Sequence, residues 1–212
     1  MSANKSRKGI QGTLPGRTHV TGPGGLDAPA FARWYRSEIS RSWEGLDLSR
    51  VSQVAKAVVE AQERGRQIWV MGNGGSAATA SHLATDLSKT AAVEGHPLVK
   101  CISLAENAAF LTAIGNDISF DDIFVRQLEN LLRPKDLVIL VSGSGNSKNL
   151  VKAAQYANAH GALTIGFLGF DGGKLASLVE IPLLVASDQY GVIEDVHMGI
   201  GHILTFYLKQ RR

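Results

Sequence analysis

The 212-residue sequence predicts an α/β fold, a five-stranded parallel sheet sandwiched by helices in a flavodoxin-like, nucleotide-free arrangement, with further helices at its N-terminal side. Two observations carry this expectation. Five short apolar runs follow Gly65, each succeeded by a helical stretch, and each is apolar throughout rather than alternating. Consecutive apolar positions mean burial on both faces, which is the condition of a parallel strand covered by crossover helices. The length suits one domain, and 44% hydrophobic against 19% charged residues excludes wholesale disorder.

Residues 1–27 are rich in Gly, Ser, Thr and Pro and read as a flexible N-terminal arm, leaving 28–212 as a single domain. Over 28–46 the residues Phe31, Trp34, Tyr35, Ile39 and Trp43 recur at three-to-four spacing, the pattern of an amphipathic helix. A second helix, capped by Asp47 or Ser49, runs to about Glu63 with Val51, Val54, Val58 and Val59 on its apolar positions. These two helices could cover the sheet or form an oligomer seam. The five strands are expected at 67–71, 98–104, 137–141, 163–168 and 181–186. Ligands of open α/β sheets bind beyond the carboxyl ends of the strands, so the loops after Met71, Leu104, Val141 and Leu168 are where function is sought.

Composition narrows the function classes. No apolar run is long enough to span a bilayer and the N-terminus lacks the apolar core of a signal peptide, so the expected location is cytoplasmic. The net charge of +3 owes much to Lys5, Arg7, Lys8 and Arg17 at one end and Lys209, Arg211 and Arg212 at the other. Scattered terminal cations without interleaved aromatics read as solvated tails, which gives no nucleic-acid or membrane partner. The single cysteine, Cys101, lies in an apolar run and reads as a buried strand thiol rather than a nucleophile.

Two strand-to-helix turns resemble each other, IWVMGNGGSAATASHLA and VILVSGSGNSKNLVKAA. Small residues let the backbone approach an anion, and the following helix N-terminus offers free N–H groups and a positive dipole end. Ser142, Ser144 and Ser147 with Gly143 and Gly145 make a cradle suited to a phosphate monoester, though neither a Walker loop nor a dinucleotide fingerprint. The plainer alternative is a tight turn with one serine cap. Two polar clusters accompany the turns. His82 and Asp86 stand four apart on one predicted helix, and the apolar stretch GVIEDVHMGIGHILTFYL carries Glu194, Asp195, His197 and His202. Glu194 and His202 lie two turns apart and about 80° round the axis, and converge if Glu194 sits at the helix start. Two histidines and two carboxylates can complete a divalent metal site or supply the acid and base of a proton transfer, whereas a capped helix with satisfied core histidines would need neither.

The motifs GNGGSAATASHLATDL, AIGNDISFDDIF, SGSGNSKNLVKAA, FDGGKLA and IEDVHMGIGHIL occur in the order seen in the sugar isomerase (SIS) domain family, which roughly residues 48–208 resemble. The likeness is greatest to the phosphoheptose isomerase family. That resemblance implies an aldose–ketose isomerase acting through an enediol, converting sedoheptulose 7-phosphate to a heptose 7-phosphate, as a homotetramer with sites near subunit boundaries. It implies substrate contacts from Asn73, Gly74, Gly75, Ser76, Asn116 and Asp117, and a phosphate site at Ser142, Gly143, Ser144 and Ser147. It implies a divalent metal, zinc by ligand type, at His82, Asp86, Glu194 and His202, with Asp86, Glu194 and His202 as the catalytic groups and Asp86 favoured as the base. Asp86 and Glu194 also count among the substrate contacts.

Three positions depart from the family. Asp86 stands where Glu is usual, Glu194 where Gln is usual, and Ser142-Gly143-Ser144 replaces Ser-Thr-Ser. Two other readings are a paralogue for another sugar phosphate and a non-catalytic SIS binding protein of the DnaA initiator-associating type. A sugar-phosphate-sensing domain is a third, but the chain has no recognisable DNA-binding module.

Overall fold

Asp27 starts the first helix by accepting a hydrogen bond from the Ala30 N–H at 2.8 Å, with Pro29 in the first turn, so the described chain enters α1 (Ala28–Glu44) directly. The computed structural model describes residues 22–211. The expected arm falls mostly outside the described residues, as do Lys5, Arg7, Lys8, Arg17 and Arg212. Asp47 caps α2 (Leu48–Glu63), accepting from the N–H groups of both Ser49 and Arg50; of the two candidate caps it is the one used. There follow β1 (Gln67–Gly72), α3 (Gly75–Thr85) with a π-helical turn at Asp86–Thr90, β2 (Lys100–Ser103) and α4 (Ala108–Asp117). Then come α5 (Val125–Leu131), β3 (Leu137–Ser142), α6 (Lys148–Ala159), β4 (Leu163–Gly169), α7 (Leu175–Leu178), β5 (Ile181–Val185) and α8 (Tyr190–Lys209).

The five strands form one wholly parallel sheet in the order β2-β1-β3-β4-β5. Alternate residues of a strand face opposite sides. On β3, Leu137, Ile139 and Val141 join Val58, Leu83, Ile193 and Ile200 in one core, under α2, α3 and α8. Val138 and Leu140 join Trp69, Leu128, Leu150 and Ala154 in the other, under α5 and α6. Every residue of β3 is buried, as its unbroken apolar run predicts.

β2 is shorter than expected because it lies at the edge, pairing only with β1, and Leu98 before it remains exposed. Pro182 is tolerated in β5 for the same reason, since an edge strand has an unpaired side. Cys101 is buried, and that burial pushes its thiol pKa well above the ordinary range, which leaves it inert. α1 lies against α8 through Trp43, whose ring fills the place where Gly199 would carry a Cβ.

Candidate active site

The topology creates one crevice by construction. β1 and β3 are neighbours, but α3 after β1 packs on one face of the sheet and α6 after β3 on the other, so the two loops part at the carboxyl edge. There a cavity of about 190 Å³ is lined by Asn73, Ser76, Ser142, Gly143, Ser144, Ser147, Tyr190 and Glu194, among others. A larger cleft of about 480 Å³ opens at the amino ends of the strands beside Arg66 and Lys135, but it contains none of the motif residues.

The second loop is built to hold its backbone donors in place. Ser142 Oγ accepts from the Gly145 N–H at 3.0 Å and Ser144 Oγ from the Asn146 N–H at 3.2 Å. Each hydroxyl still has its own proton to donate. Gly145 sits at φ +61°, and a Cβ there would overlap the Gly172 carbonyl, so the FDGG turn packs directly against the loop. Asn146 completes the junction, donating to the Ser144 carbonyl and accepting from the Lys174 N–H. Ser147 precedes α6 without a capping side-chain hydrogen bond, so capping does not account for its hydroxyl. The side-chain amides of Asn73 and Asn149 exchange two hydrogen bonds, 3.0 and 2.9 Å, which tie the first loop to the start of α6.

α3 and α8 lie side by side, with Gly75 next to Glu194 and Leu83 next to Gly201. Two turns along this pair, His82, Asp86 and His202 converge. His82 Nε2 lies 3.0 Å from His202 Nε2 and 3.4 Å from Asp86 Oδ2, and His202 Nε2 lies 3.9 Å from the same oxygen. A tetrahedral ion with ligands at about 2.1 Å spaces them roughly 3.4 Å apart, which these three sides bracket. The other Asp86 oxygen accepts from Thr90 Oγ1 at 3.0 Å, a contact made by the π-helical turn. Such turns recur at functional sites. Both imidazoles are half exposed while the carboxylate is largely covered, so the donors face outward.

Glu194 does not join that triangle. It is the fifth residue of α8 rather than its start, and eight residues of helix separate it from His202, a rise of about 12 Å. Its carboxylate instead lies over Gly75, at the N-terminal end of α3, where a Cβ would come within 2.6 Å of Glu194 Cδ. Burial first, and the neighbouring Asp195 second, push its pKa above the usual glutamate value. Asp195 accepts a hydrogen bond from Tyr35 Oη at 2.8 Å, which joins α1 to α8 beside the site. Burial and that bond raise the Tyr35 pKa to about 12.

Asn116 and Asp117 end α4 on the surface, hydrogen-bonded to each other at 2.8 Å and outside the lining of the cavity. Gly74 and Gly75 form the entry to α3, Gly74 at φ +56°. His197 is fully buried beside Phe167, and burial lowers its pKa to about 4, a fall only partly offset by the Leu168 backbone. Sequence reasoning missed Tyr190, four residues before Glu194 and so on the same helix face, and Thr90, four residues after Asp86.

Comparison with known proteins adds an independent line. Residues 34–169 match the SIS domain family model. A phosphoheptose isomerase of Geotalea daltonii is 42% identical over 168 residues, covering 79% of this chain and 87% of the relative. One of Aquifex aeolicus is 36% identical over the same shares. Among solved structures, a phosphoheptose isomerase from Neisseria gonorrhoeae superposes with a TM-score of 0.79 at 27% identity, covering 86% of this chain and 97% of that one. One from Francisella tularensis gives 0.79 at 29% identity, with 86% and 96% covered.

Proposed function

Since the chain belongs to the SIS domain family and, within it, to the phosphoheptose isomerases, we propose that it interconverts sedoheptulose 7-phosphate and the aldose heptose 7-phosphate. The observation that carries the reading is the pairing of a serine-rich cavity, lined also by Glu194, with a histidine–aspartate triangle two turns beyond Glu194 along α8. One holds an anion and the other can move protons.

The spacing favours a long substrate. From the reacting C2 to the phosphorus of a heptulose 7-phosphate there are seven bonds, about 8 Å when extended at roughly 1.2 Å per bond. The rise along α8 from Glu194, on the cavity wall, to His202 is about 12 Å, and with side-chain reach at either end the longer substrate comes nearer to spanning it. A pentulose 5-phosphate, with five such bonds or about 6 Å, falls short.

In this mechanism the phosphate is bound by backbone N–H groups and hydroxyls of Ser142, Gly143, Ser144 and Ser147, and the sugar hydroxyls run past Ser76 and Glu194. Asp86 takes the C1 proton, water hands a proton to the C2 oxygen and accepts one from O1, and Asp86 returns a proton to C2, so no net proton is gained or lost. The donor set of two imidazoles and a carboxylate suits zinc or a neighbouring divalent ion held by His82, Asp86 and His202. Such an ion supplies positive charge to an enediolate oxygen. Glu194, in place of the family's Gln, serves as a hydroxyl acceptor in the cavity rather than as a fourth ligand.

A homotetramer belongs to the same reading. α4 is apolar in composition yet has no fully buried residue, and it carries Asn116 and Asp117 at its end, so a neighbouring copy would give it a partner. Among the described residues no helix is long and apolar enough to cross a membrane, in keeping with a cytoplasmic enzyme. The reading is tested by turnover of five-, six- and seven-carbon ketose phosphates, with sedoheptulose 7-phosphate preferred. Equal turnover of all three would refute the length argument.

A further inference from the structure

Gly143 has no room for a side chain. A Cβ there would lie 2.8 Å from Tyr190 Cε1 and 2.9 Å from its Cδ1, so the tyrosine ring rests on the backbone of the phosphate loop. The ring stands where the family's threonine would project. Behind it Phe170 packs edge-on, ring centres 4.9 Å apart at 70°. Phe170 itself is held at φ +50°, a conformation that a bulky residue adopts only when its surroundings enforce it. Its N–H donates to the Ser187 carbonyl at 3.2 Å, which fixes the segment leading into α8. Tyr190 is therefore wedged between Gly143 and Phe170, and its ring lines the cavity one helical turn before Glu194.

We propose that Tyr190 is a specificity-determining residue, a wall that replaces the missing side chain at 143, closes the phosphate end of the cavity and sets the longest sugar phosphate whose phosphate fits the serine cradle while its carbonyl reaches the histidine–aspartate triangle. The inference rests on the isomerase reading above and concerns the same cavity. Tyr190 lies one helical turn beyond Glu194 on the side away from His202, against the loop that takes the phosphate. A substrate whose carbonyl is held at the triangle and whose chain is one carbon too long drives its phosphate into that ring. One misplaced methylene against a fitted pocket is worth roughly 10- to 200-fold in discrimination.

The test uses sedoheptulose 7-phosphate and its eight-carbon homologue, octulose 8-phosphate, as calorimetric ligands for wild type, Tyr190→Ala, Gly143→Thr and the double variant. Wild type should favour the seven-carbon ligand by about tenfold or more, and Tyr190→Ala should reduce that ratio to about twofold or less. Gly143→Thr alone should abolish tight binding because its side chain meets the ring, whereas the double variant should recover it. Melting curves identify a variant that fails to fold, and Tyr190→Ala, which only removes atoms, carries the selectivity test independently. A Tyr190→Ala protein that binds with the wild-type ratio overturns the proposal alone. Wild-type protein that binds neither sugar phosphate overturns the isomerase reading together with it.

Discussion

Gly75→Ala separates the fold from the site more cleanly than any truncation. The substitution adds one methyl at the first residue of α3, where the backbone is already helical, so helix propensity favours it by up to about 1 kcal/mol. The new Cβ would stand 2.6 Å from both Cδ and Oε2 of Glu194, inside van der Waals contact. What must give way is the end of a flexible side chain, not backbone. Glu194 swings off the N-terminal end of α3 and forfeits a helix-end interaction of about 0.3–1 kcal/mol. The two effects nearly cancel. Stability should remain within about 1 kcal/mol of wild type, a melting shift of no more than roughly 2–4 °C. The substrate, however, loses a carboxylate hydrogen bond worth about 1.5–3 kcal/mol, which lowers kcat/KM roughly 10- to 150-fold. Thermal melts and steady-state kinetics on the same preparation decide the matter. A variant with both wild-type melting and wild-type kcat/KM would refute the placement of Glu194 as a working part of the cavity.

Other outcomes follow from the same geometry. Elemental analysis of protein purified without chelator should find about one divalent ion per chain, greatly reduced in His82→Ala and in His202→Ala but largely retained in Glu194→Gln. Equal loss in Glu194→Gln would make Glu194 a ligand after all. Ser144→Ala should weaken sugar-phosphate binding by about 1.5–3 kcal/mol, read by calorimetry; unchanged affinity would remove Ser144 from the cradle. His197, whose pKa falls from 6.5 unfolded to about 4 folded, contributes stability that is complete above pH 6.5 and is lost as pH falls through 4. The loss amounts to about 3 kcal/mol at the acid end, and His197→Leu should flatten that part of a denaturation-versus-pH profile. An unaltered acid limb in that variant would assign the loss to other groups.

Much of the fold was legible because the strands are apolar on both faces, so the run at Leu137 onward read as a strand covered by helices on either side. Boundaries blurred where tertiary pairing decides them, as at β2, which stops at Ser103 because only β1 pairs with it. The phosphate loop was legible from its glycines and serines, and His82, Asp86 and His202 from their intrusion into apolar helices. What the sequence concealed depends on side-chain direction across elements. Nothing in the spacing of Glu194 shows that it would settle on Gly75 instead of reaching His202. The π-helical turn that brings Thr90 to Asp86 has no local signature, and Tyr190 looks like an ordinary helix-start aromatic until its ring is seen against Gly143.

The central claim is that this chain moves a proton between C1 and C2 of sedoheptulose 7-phosphate. Its most direct test is to incubate the metal-replete protein with that sugar in heavy water and locate the label by NMR. The account predicts an aldose heptose 7-phosphate carrying deuterium at C2, with Asp86→Asn losing both turnover and label while Glu194→Gln keeps measurable activity. No aldose product from the wild type, or an active Asp86→Asn beside an inert, metal-bound Glu194→Gln, would contradict it.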